Sequence, residues 1–595
     1  MNSLKYLNKY LYKYRGRILL GILCVIVSNF FGVLMPRVLG DAVNTFKEQV
    51  ADHLPANEIL WNSLKIGGLY IGLNILKGLF LFFTRQTLII MSRLAEYDLK
   101  NEIYTHYQKL DFAFYKNHRI GDLMNRISED VTQVRMYLGP GLMYNLNLLV
   151  LFPLCIYWMM QTNVKLTFIV LSPLPILSFI IYKVSSKINL ASKLVQEEQS
   201  HISTLAQEYF SGIRVIKAYL RQEHTTKTFN DAAEEYKKRN MKMVLINAFF
   251  MPSITFLIAL SVILSVYIGS LYTYTGDIKV GDIIAFIMYV NMLTWPFASV
   301  GWVTSIIQRA SASQTRINEF LQAEPEIVNT SNETFETIES IEFKDVDFTY
   351  KNSGITALHD LNFKINKGEK IGIIGKTGSG KSTILYLLTR QFDSSNGEVL
   401  VNGKSIKETN LDAYQKQIGI VPQEVFLFSD TIANNIAFGI DQEKATKEAI
   451  ENAAKQADVY DNIMEFTEQF DTELGERGIN LSGGQKQRVS IARALIREPE
   501  LLLLDDCLSA VDTETEEEIL HQLAQLKKQT VVIVSHRISS LRLADKIFVL
   551  DNGHIVESGS HEELLAKGGA YYGMYLKQLA EEKVANEREN KKIED

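Results

Sequence analysis

The chain of 595 residues is too long for a single hydrophobic core, so its length predicts two or more domains. A hydrophobic share of 47% and a net charge of −6 argue against a disordered chain and against a nucleic-acid-binding protein. The three cysteines are an odd number without metal-ligand spacing, which argues against a disulfide framework.

The first 17 residues are basic and rich in tyrosine, and a long apolar run follows them. That run is long enough to cross a bilayer, unlike the short apolar core of a cleavable signal peptide. Tyrosines interspersed with lysines and arginines are typical of a helix that lies in the membrane interface. We therefore expect an interfacial helix on the cytoplasmic side, followed by a first membrane span.

Six segments approach the roughly 20 apolar residues that a helix needs to cross the hydrocarbon core of a bilayer. The predicted spans cover residues 18–39, 62–90, 138–160, 164–182, 243–272 and 280–307. Pro252 and Pro296 fall inside the last two, which membrane helices tolerate where neighbouring groups satisfy the freed carbonyls. The sequence thus predicts a transmembrane domain of six helices over residues 1–320.

The basic residues are distributed unevenly over the loops between these spans. The loops after the second and fourth spans are long and rich in lysine and arginine, whereas residues 41–60 contain only Lys47 and residues 273–279 only Lys279. The positive-inside rule then places both termini in the cytoplasm. We expect a multi-pass protein of the cell (plasma) membrane, in contact with its lipids, whose two basic loops continue as helices beyond the bilayer.

The composition changes after the sixth span. Residues 321–340 are polar and acidic without an apolar period, as expected of a linker. Over residues 341–580, short β-rich runs alternate with helical ones, which predicts an α/β domain with a mainly parallel sheet. Two dipeptides in it predict tight hairpin turns: Asn402-Gly403 and Asn552-Gly553. The charged residues 581–595 lack an apolar face and are expected to form a solvated tail.

Residues 370–383 read KIGIIGKTGSGKST, an apolar strand that leads into a glycine-rich loop and then a helix. This is the P-loop pattern in its expected context, in which backbone N–H groups turn inward onto phosphate oxygens at a helix N-terminus. Lys381 would reach the β- and γ-phosphates of ATP, and the Ser382 hydroxyl would bind Mg²⁺. The predicted phosphate-binding residues are Gly375, Lys376, Thr377, Gly378, Ser379, Gly380, Lys381, Ser382 and Thr383.

Two further apolar strands deliver polar side chains at their ends. The strand of residues 501–504 ends in Asp505, which fits an outer ligand of Mg²⁺ beside a P-loop. The run VVIVSH places His536 at the end of another strand, near the same edge by topology. A histidine in such a position is often structural, but its order after the P-loop and the carboxylate favours a γ-phosphate contact.

Residues 481–485 read LSGGQ, and with this motif the chain resembles an ABC exporter half-transporter, of the multidrug-exporter type, over residues 1–580. The resemblance implies a six-helix α transmembrane domain of the type IV exporter fold, fused to an α/β P-loop nucleotide-binding domain. It implies ATP and Mg²⁺ as cofactors and a second half-transporter as partner. Each ATP would then be held by the P-loop of one chain and the LSGGQ signature of the other.

The family's functional residues have counterparts in this sequence. The resemblance implies that Tyr350 stacks on adenine, and that the signature residues Ser482, Gly483, Gly484 and Gln485 contact the partner's ATP. It places Ser382, Gln423 and Asp505 around Mg²⁺, and Asp506, His536 and Gln423 in the catalytic positions. Residues 509–512 resemble the dimer-contacting loop, residues 112–122 and 208–219 the two coupling helices, and Glu476 the loop that senses those helices.

Asp506 occupies a position where this family normally has glutamate. Aspartate is one methylene shorter, so its carboxylate would sit roughly 1.5 Å back, and a misplacement of about 1 Å can cost on the order of a hundredfold in rate. We therefore expect this chain's own site to bind ATP firmly and to turn over slowly. Because its LSGGQ is intact, the chain could complete a competent site with a different partner that carries a catalytic glutamate. This combination resembles one half of a heterodimeric bacterial ABC multidrug exporter; the alternative is a homodimer in which Asp506 works as the base.

The expected substrate is a small hydrophobic or amphipathic, drug-like compound. Soft and aromatic residues are frequent in the fifth and sixth spans: Phe249, Phe250, Met251, Phe256, Met288, Tyr289, Met292, Trp295 and Trp302. Such residues build adaptable apolar cavities, and helix packing or lipid contact explains each one equally well. Lys77, within the second span, would contact an anionic headgroup or the partner, or extend to the interface. A homodimeric lipid flippase and an ATP-binding regulator or receptor remain as alternatives.

Overall fold

The computed structural model describes residues 3–329, 331–508, 513–526 and 528–580. The chain divides into two compact units, the first made of Met1–Lys109 and Ile120–Ala323 and the second of Leu110–Arg119 and Glu324–Asp595. The predicted dimer-contacting loop, residues 509–512, and the predicted tail, residues 581–595, lie outside the described residues. Each unit has a hydrophobic core of its own.

The first unit contains six helices that are long and apolar enough to cross a membrane, as the sequence predicts. In chain order these membrane helices are Arg15–Ala51, Ala56–Lys109, Ile120–Thr162, Val164–Ser211, Gln222–Tyr274 and Val280–Leu321. Each extends beyond its predicted apolar segment. The basic loops after the second and fourth spans are therefore largely helical, and the short helix Ile213–Ala218 lies in the second of them.

The N-terminal residues form a short helical segment that is held against the second membrane helix. A 3-10 turn over Ser3–Leu7 leads into the helix Asn8–Lys13. The Glu102 carboxylate accepts hydrogen bonds from the Tyr6 and Tyr10 hydroxyls and forms an ion pair with the Lys9 ammonium group. These interactions anchor the segment that the sequence predicts to lie in the membrane interface.

The first and sixth membrane helices approach closely where each contains a glycine. A Cβ added to Gly281 would lie 1.9 Å from the carbonyl oxygen of Gly40, and one added to Gly40 would lie 2.6 Å from the carbonyl oxygen of Gly281. The Gly281 N–H donates to Asn44 Oδ1 at 2.7 Å. Because small residues allow helix backbones to come together in a membrane, this crossing depends on both glycines.

The second unit is an α/β domain with two sheets. Its strands are β1 (Ser340–Tyr350), β2 (Ile355–Asn366), β3 (Lys370–Gly375), β4 (Asn396–Val401), β5 (Lys404–Ser405), β6 (Ile418–Val421), β7 (Leu501–Asp505), β8 (Thr530–Ser535), β9 (Lys546–Asp551) and β10 (His554–Gly559). The six-stranded sheet has the order β10-β9-β3-β8-β7-β6. All its pairs are parallel except β10 with β9, which confirms the predicted mainly parallel sheet.

A second, antiparallel sheet of order β2-β1-β4-β5 has no counterpart in the sequence-based expectation. Its central pair joins β1 to β4, whose paired residues are 49 to 60 positions apart in the chain, so no local pattern reveals the pairing. Both predicted hairpin turns are confirmed, one between β4 and β5 and the other between β9 and β10. The asparagine and the glycine of each turn have positive φ, as a type I′ turn requires.

The helices of the second unit are Phe112–Asn117, Lys381–Leu388, Leu411–Lys416, Ile432–Ala437, Lys447–Gln456, Tyr460–Met464, Gly483–Leu495, Thr513–Gln525 and His561–Lys567, and residues 570–580 are also helical. The first of these precedes the third membrane helix in sequence, yet it packs within the second unit.

The order of the parallel sheet determines which polar residues meet. Strands β3, β8 and β7 are neighbours, and their side chains are almost completely buried. Since parallel strands all end at one edge, the segments that follow these three strands lie side by side. Those segments are the P-loop, the turn with His536, and the pair Asp505 and Asp506.

Candidate nucleotide-binding site

A cavity of about 580 Å³ opens at this edge of the parallel sheet, within the size range typical of ligand sites. Its lining includes most of the site residues that the sequence predicts: Tyr350, Thr377, Gly378, Gly380, Lys381, Ser382, Thr383, Gln423, Asp505, Asp506 and His536. These residues come from segments up to 186 positions apart, as Tyr350 and His536 show. The fold therefore brings the predicted phosphate, metal and catalytic positions into one space.

The P-loop runs from the end of β3 to the start of the helix Lys381–Leu388. Gly378 and Gly380 have φ of +82° and +102°, in the left-handed region that favours glycine. At Gly375 an added Cβ would lie 2.2 Å from the carbonyl oxygen of Leu550 on β9. The loop thus turns its backbone amides at the N-terminus of a helix, where anions are favoured.

Two buried hydrogen-bond donors of the P-loop, the Lys381 ammonium group and the Ser379 hydroxyl, are suited to bind phosphate oxygens. The Lys381 side chain is only 6% exposed, and its Nζ donates to the carbonyl oxygens of Gly375 and Lys376 at 2.9 and 3.0 Å. Burial lowers the pKa of this lysine. The buried Oγ of Ser379 has no hydrogen-bond partner within the described part of the chain. Both groups would gain partners from a bound polyphosphate.

The carboxylate at the end of β7 lies against the start of the P-loop helix. Asp505 is buried, and its Oδ1 accepts a hydrogen bond from the Ser382 hydroxyl at 3.2 Å. Burial raises the pKa of Asp505, and the negative charge of Asp506 adds to this effect. A cation beside Ser382 and Asp505 would relieve both contributions. Gln423, just after β6, lines the same cavity.

These residues fit Mg²⁺ only together with a phosphate. Among the described residues, no group of three or more His, Cys, Asp or Glu side chains could hold a metal ion. Mg²⁺ is commonly held by one or two carboxylates together with substrate phosphates and water. Asp505, Ser382 and Gln423 supply such a partial set.

Asp506 and His536 are neighbours at the cavity. The Asp506 N–H donates to the carbonyl oxygen of Val534 at 2.8 Å, and its φ of 45° lies in the left-handed region. Its Oδ1 accepts a long hydrogen bond, 3.4 Å, from the backbone N–H of His536. The backbone of Asp506 is therefore attached to β8, and its carboxylate lies at the turn that carries the histidine.

Tyr350, at the end of β1, lines the same cavity. Its hydroxyl is 3.0 Å from Thr383 Oγ1 on the P-loop helix. The Lys116 ammonium group lies 4.1 Å from the centroid of its ring. A hydrogen bond and a cation–π contact thus orient the ring that the family resemblance assigns to adenine.

The LSGGQ residues do not line the cavity described above. Ser482 caps the helix Gly483–Leu495: its Oγ accepts the Gln485 N–H at 3.2 Å, while Gln485 Oε1 accepts the Ser482 N–H at 2.9 Å. Ser482 and Gly483 are exposed. The structure therefore presents the signature as an open helix N-terminus, apart from this chain's P-loop cavity.

The cavity also contains residues that the sequence analysis did not identify, from β2 and from the turn before β10. The His359 N–H donates to the Gly553 carbonyl oxygen at 2.9 Å, and the Gly553 N–H donates to the Ser379 carbonyl oxygen at 3.1 Å. A Cβ at Gly380 would lie 2.5 Å from the carbonyl oxygen of Ala357. The Asn552-Gly553 signal predicts a turn but does not reveal that the turn supports the P-loop.

The soft and aromatic residues predicted on the fifth and sixth membrane helices differ in exposure, and Phe250, Met288 and Met292 are half-buried. Phe249, Phe256, Trp295 and Trp302 are exposed on the first unit. Tyr289 is buried, and its hydroxyl donates to the carbonyl oxygen of Val33 at 3.0 Å, so it packs the helices together. Lys77 lies against the first membrane helix, with Cε 3.4 Å from the position of a Cβ on Gly32.

Family profiles match both units of the chain. The profile of the ABC transporter transmembrane region matches residues 18–297, and the profile described as ABC transporter matches residues 358–509. The second match contains the P-loop, the signature and the strand that ends in Asp505.

Known proteins resemble the chain over nearly its whole length. The multidrug resistance-like ATP-binding protein MdlA of Escherichia coli (strain K12) is 34% identical over 582 residues, covering 97% of this chain and 96% of the relative. The probable multidrug resistance ABC transporter ATP-binding/permease protein YheI of Bacillus subtilis (strain 168) is 32% identical and covers 97% of each. A solved structure of a bacterial Atm1-family ABC exporter with ATP bound superposes with a TM-score of 0.77 at 25% identity, over 95% of this chain and 98% of that one.

Proposed function

The chain belongs to the ABC transporters, as an ATPase-coupled, multi-pass exporter of the multidrug-resistance type, and from this premise we propose its substrate, its partner and the state of its own ATP site. It exports hydrophobic or amphipathic, drug-like compounds across the cell membrane, with both termini in the cytoplasm. It works as one half of a heterodimer. Its own ATP site binds nucleotide firmly and hydrolyses it slowly.

One observation carries this proposal: most of the predicted phosphate, metal and catalytic positions converge on one cavity, with aspartate in the place of the base. ATP would lie with its phosphates on the P-loop and its adenine on Tyr350, which lines the same cavity. Bound Mg²⁺ would neutralise charge on the phosphates, held by Ser382, Gln423 and Asp505. The buried Lys381 would place its ammonium group toward the β- and γ-phosphates.

The position of Asp506 supports slow hydrolysis at this site. A base must orient water in line with the γ-phosphate, and a shorter side chain reaches that water only if its backbone moves. The Asp506 N–H is bonded to Val534, and β7 is paired on both sides, with β6 and β8. A compensating backbone shift of more than about 1 Å would break these hydrogen bonds. Movement of the backbone therefore does not readily make up for the shorter side chain of Asp506.

The exposed signature supports a composite site with a second chain. ABC exporters dimerise, and a helix N-terminus that is open to solvent and apart from its own P-loop is suited to a phosphate presented by a partner. Because this chain retains the full LSGGQ motif, it can complete a competent site whose base is the partner's glutamate. One slow site and one competent site are possible only if the two chains differ at the position of Asp506, which favours a heterodimer over two identical chains.

An exposed aromatic cluster in the second unit is a further surface for the partner. Phe428 and Phe438 are 40% and 65% exposed and lie 4.6 Å apart between ring centroids. The Arg493 guanidinium carbon lies 5.7 and 5.8 Å from the centroids of these two rings. The same guanidinium donates to the Phe426 and Asn435 carbonyl oxygens at 2.8 and 2.7 Å, which fixes its position. We propose that the partner's loop equivalent to residues 208–219 covers this cluster.

The first experiment is a gentle affinity purification of the tagged chain from its native membrane. We expect a second half-transporter in equal amount, with glutamate at the position that matches Asp506. Recovery of this chain alone, active in ATP hydrolysis, would establish a homodimer in which Asp506 is the working base. A Lys381→Ala variant, which should be recovered with the same partner but without nucleotide binding, controls for assembly.

The second experiment tests what is moved. The purified assembly is reconstituted in lipid vesicles and its ATP hydrolysis is measured with hydrophobic drugs or with lipids of varied headgroup. Stimulation by drugs, with ATP-dependent accumulation of the drug in inside-out vesicles, supports an exporter. Stimulation by a lipid alone would instead indicate a flippase, and nucleotide binding without stimulated turnover would indicate a regulator.

A further inference from the structure

The C-terminal helical residues 570–580 contact the turn that carries His536. The side-chain amide of Gln578 is placed between two backbone groups of this turn: its Nε2 donates to the His536 carbonyl oxygen at 2.6 Å, and its Oε1 accepts the Ile538 N–H at 2.9 Å. The two bonds come from one side-chain amide and reach the two peptide groups on either side of Arg537. They therefore define both the position and the direction of the backbone just after the histidine.

The rest of the turn is held from a different direction. Glu516, on the helix Thr513–Gln525, is 2% exposed. Its carboxylate accepts hydrogen bonds from Arg537 at 3.3 Å, from the Ser539 hydroxyl at 3.2 Å and from the Ser540 hydroxyl. These bonds hold the residues after His536, but none of them involves the histidine's own backbone.

The His536 backbone forms hydrogen bonds of different length with the side chains of Asp506 and Gln578. The N–H donates to Asp506 Oδ1 at 3.4 Å, beyond the usual range for a strong N–H···O bond, whereas the carbonyl oxygen accepts from Gln578 at 2.6 Å. The shorter bond, from Gln578, therefore restrains the histidine backbone more tightly than the long bond to Asp506 does.

We infer that Gln578 is a positioning residue: its side-chain amide sets where the His536 imidazole meets the γ-phosphate. This inference rests on the γ-phosphate contact proposed for His536. An amide is suited to the task because it donates and accepts at once. A glutamate would keep the acceptor for Ile538 but would place a carboxylate against the His536 carbonyl, and a leucine of similar size would lose both bonds.

The test uses a readout that does not depend on hydrolysis. The full-length chain, in membranes with whatever partner it binds, is photolabelled at low temperature with an azido analogue of ATP, and the labelled chain is separated by electrophoresis. Competition with ATP and with ADP, each with Mg²⁺, gives both affinities for this chain's own P-loop. Only ATP has the γ-phosphate, so the ratio of the two affinities reports the histidine contact.

We expect Gln578→Leu and Gln578→Glu to reduce the preference for ATP over ADP about fivefold, with the ADP affinity unchanged within twofold. The unchanged ADP affinity shows that the P-loop is still folded. His536→Ala should reduce the preference to a similar degree, and Gln578→Leu should add nothing in the His536→Ala background. Leu576→Ala, an exposed residue of the same helical segment, is the matched control and should leave the ratio unchanged.

The inference would be overturned if Gln578→Leu kept the natural ratio of ATP affinity to ADP affinity while His536→Ala reduced it. A further reduction of this ratio in the double variant would also overturn it. If His536→Ala itself leaves the ratio unchanged, both the proposed histidine contact and the role of Gln578 are wrong. Failure of the exporter proposal is recognised separately, because drug transport and partner recovery are measured in other experiments.

Discussion

The ammonium group of Lys116 lies 4.1 Å from the centroid of the Tyr350 ring, and Tyr350 lines the candidate nucleotide cavity. Lys116 belongs to the helix Phe112–Asn117, in the loop between the second and third predicted spans. Tyr386 and Phe392 complete an aromatic surround, with ring centroids 5.5 and 5.8 Å from the same nitrogen. Phe112, from the same helix as Lys116, packs on both of these rings. The orientation of Tyr350 therefore depends on a residue outside the nucleotide-binding sequence motifs.

Replacing Lys116 should weaken ATP binding without abolishing it. A cation–π contact at an exposed site contributes about 0.5–1 kcal/mol, so Lys116→Met should lower the affinity for ATP roughly two- to fivefold by releasing the Tyr350 ring. Lys116→Arg should retain most of the affinity. Displacement of a fluorescent ATP analogue measures both variants. An equal loss of ATP affinity in the two variants would show that the cation–π contact with Tyr350 does not support ATP binding.

Lengthening the side chain at position 506 should accelerate hydrolysis at this chain's site. Asp506→Glu restores the missing methylene, and we expect at least a tenfold increase in turnover because the carboxylate then reaches the attacking water. Asp506→Asn should be inactive while binding ATP normally. Vanadate trapping of labelled nucleotide, resolved for each chain, separates this site from the partner's. An unchanged or lower trapping rate in Asp506→Glu would contradict the slow-site proposal.

Removing the buried charge of Asp505 should stabilise the nucleotide-free protein. The pKa of Asp505 is raised in the folded state, so the folded chain binds this proton more tightly than the unfolded chain. Proton binding at Asp505 therefore stabilises the folded chain at low pH. This contribution to the free energy of unfolding is lost as the pH rises from the usual carboxyl pKa through the raised one. At pH 7.5 Asp505→Asn avoids the cost, and we expect an unfolding temperature about 2–4 °C higher, equivalent to about 1 kcal/mol for a domain of this size.

The same variant should lose the stabilisation that Mg²⁺ and ATP provide, because the carboxylate contributes to the Mg²⁺ site. Thermal unfolding with and without nucleotide, followed at pH 7.5 and at pH 5, measures both effects. The advantage of Asp505→Asn should shrink at the lower pH. A variant that unfolds at a lower temperature than the natural chain at pH 7.5 would contradict the argument.

Enlarging Gly281 should disrupt the membrane unit. The Cβ of Gly281→Ala would meet the Gly40 backbone at 1.9 Å, so the first and sixth membrane helices must separate. We expect a lower yield of folded protein in detergent and an unfolding temperature reduced by several degrees, since overpacking typically costs about 1–3 kcal/mol. Gly78→Ala, where an added Cβ meets nothing within 4 Å, is the control and should behave like the natural chain.

Much of this protein is determined by local features of its sequence. The six membrane helices follow from apolar length, because a helix that crosses a bilayer must satisfy its backbone within a continuous apolar segment. The P-loop follows from glycines at fixed spacing, which a phosphate-binding turn requires. The two Asn-Gly turns follow from the positive φ that these residues tolerate. Each of these features is contained in a short stretch and needs no distant partner.

The tertiary structure alone decided which distant segments meet. Four features join residues that are separated by tens to hundreds of positions: the antiparallel sheet, the hydrogen bond from the Gly553 turn to the P-loop, the contact of Lys116 with the Tyr350 ring, and the hydrogen bonds of the Gln578 side-chain amide. Their encounters depend on the order of the strands and on which strand ends share an edge. A short sequence pattern constrains the backbone within a few residues, whereas contacts of this kind are set by the packing of whole elements.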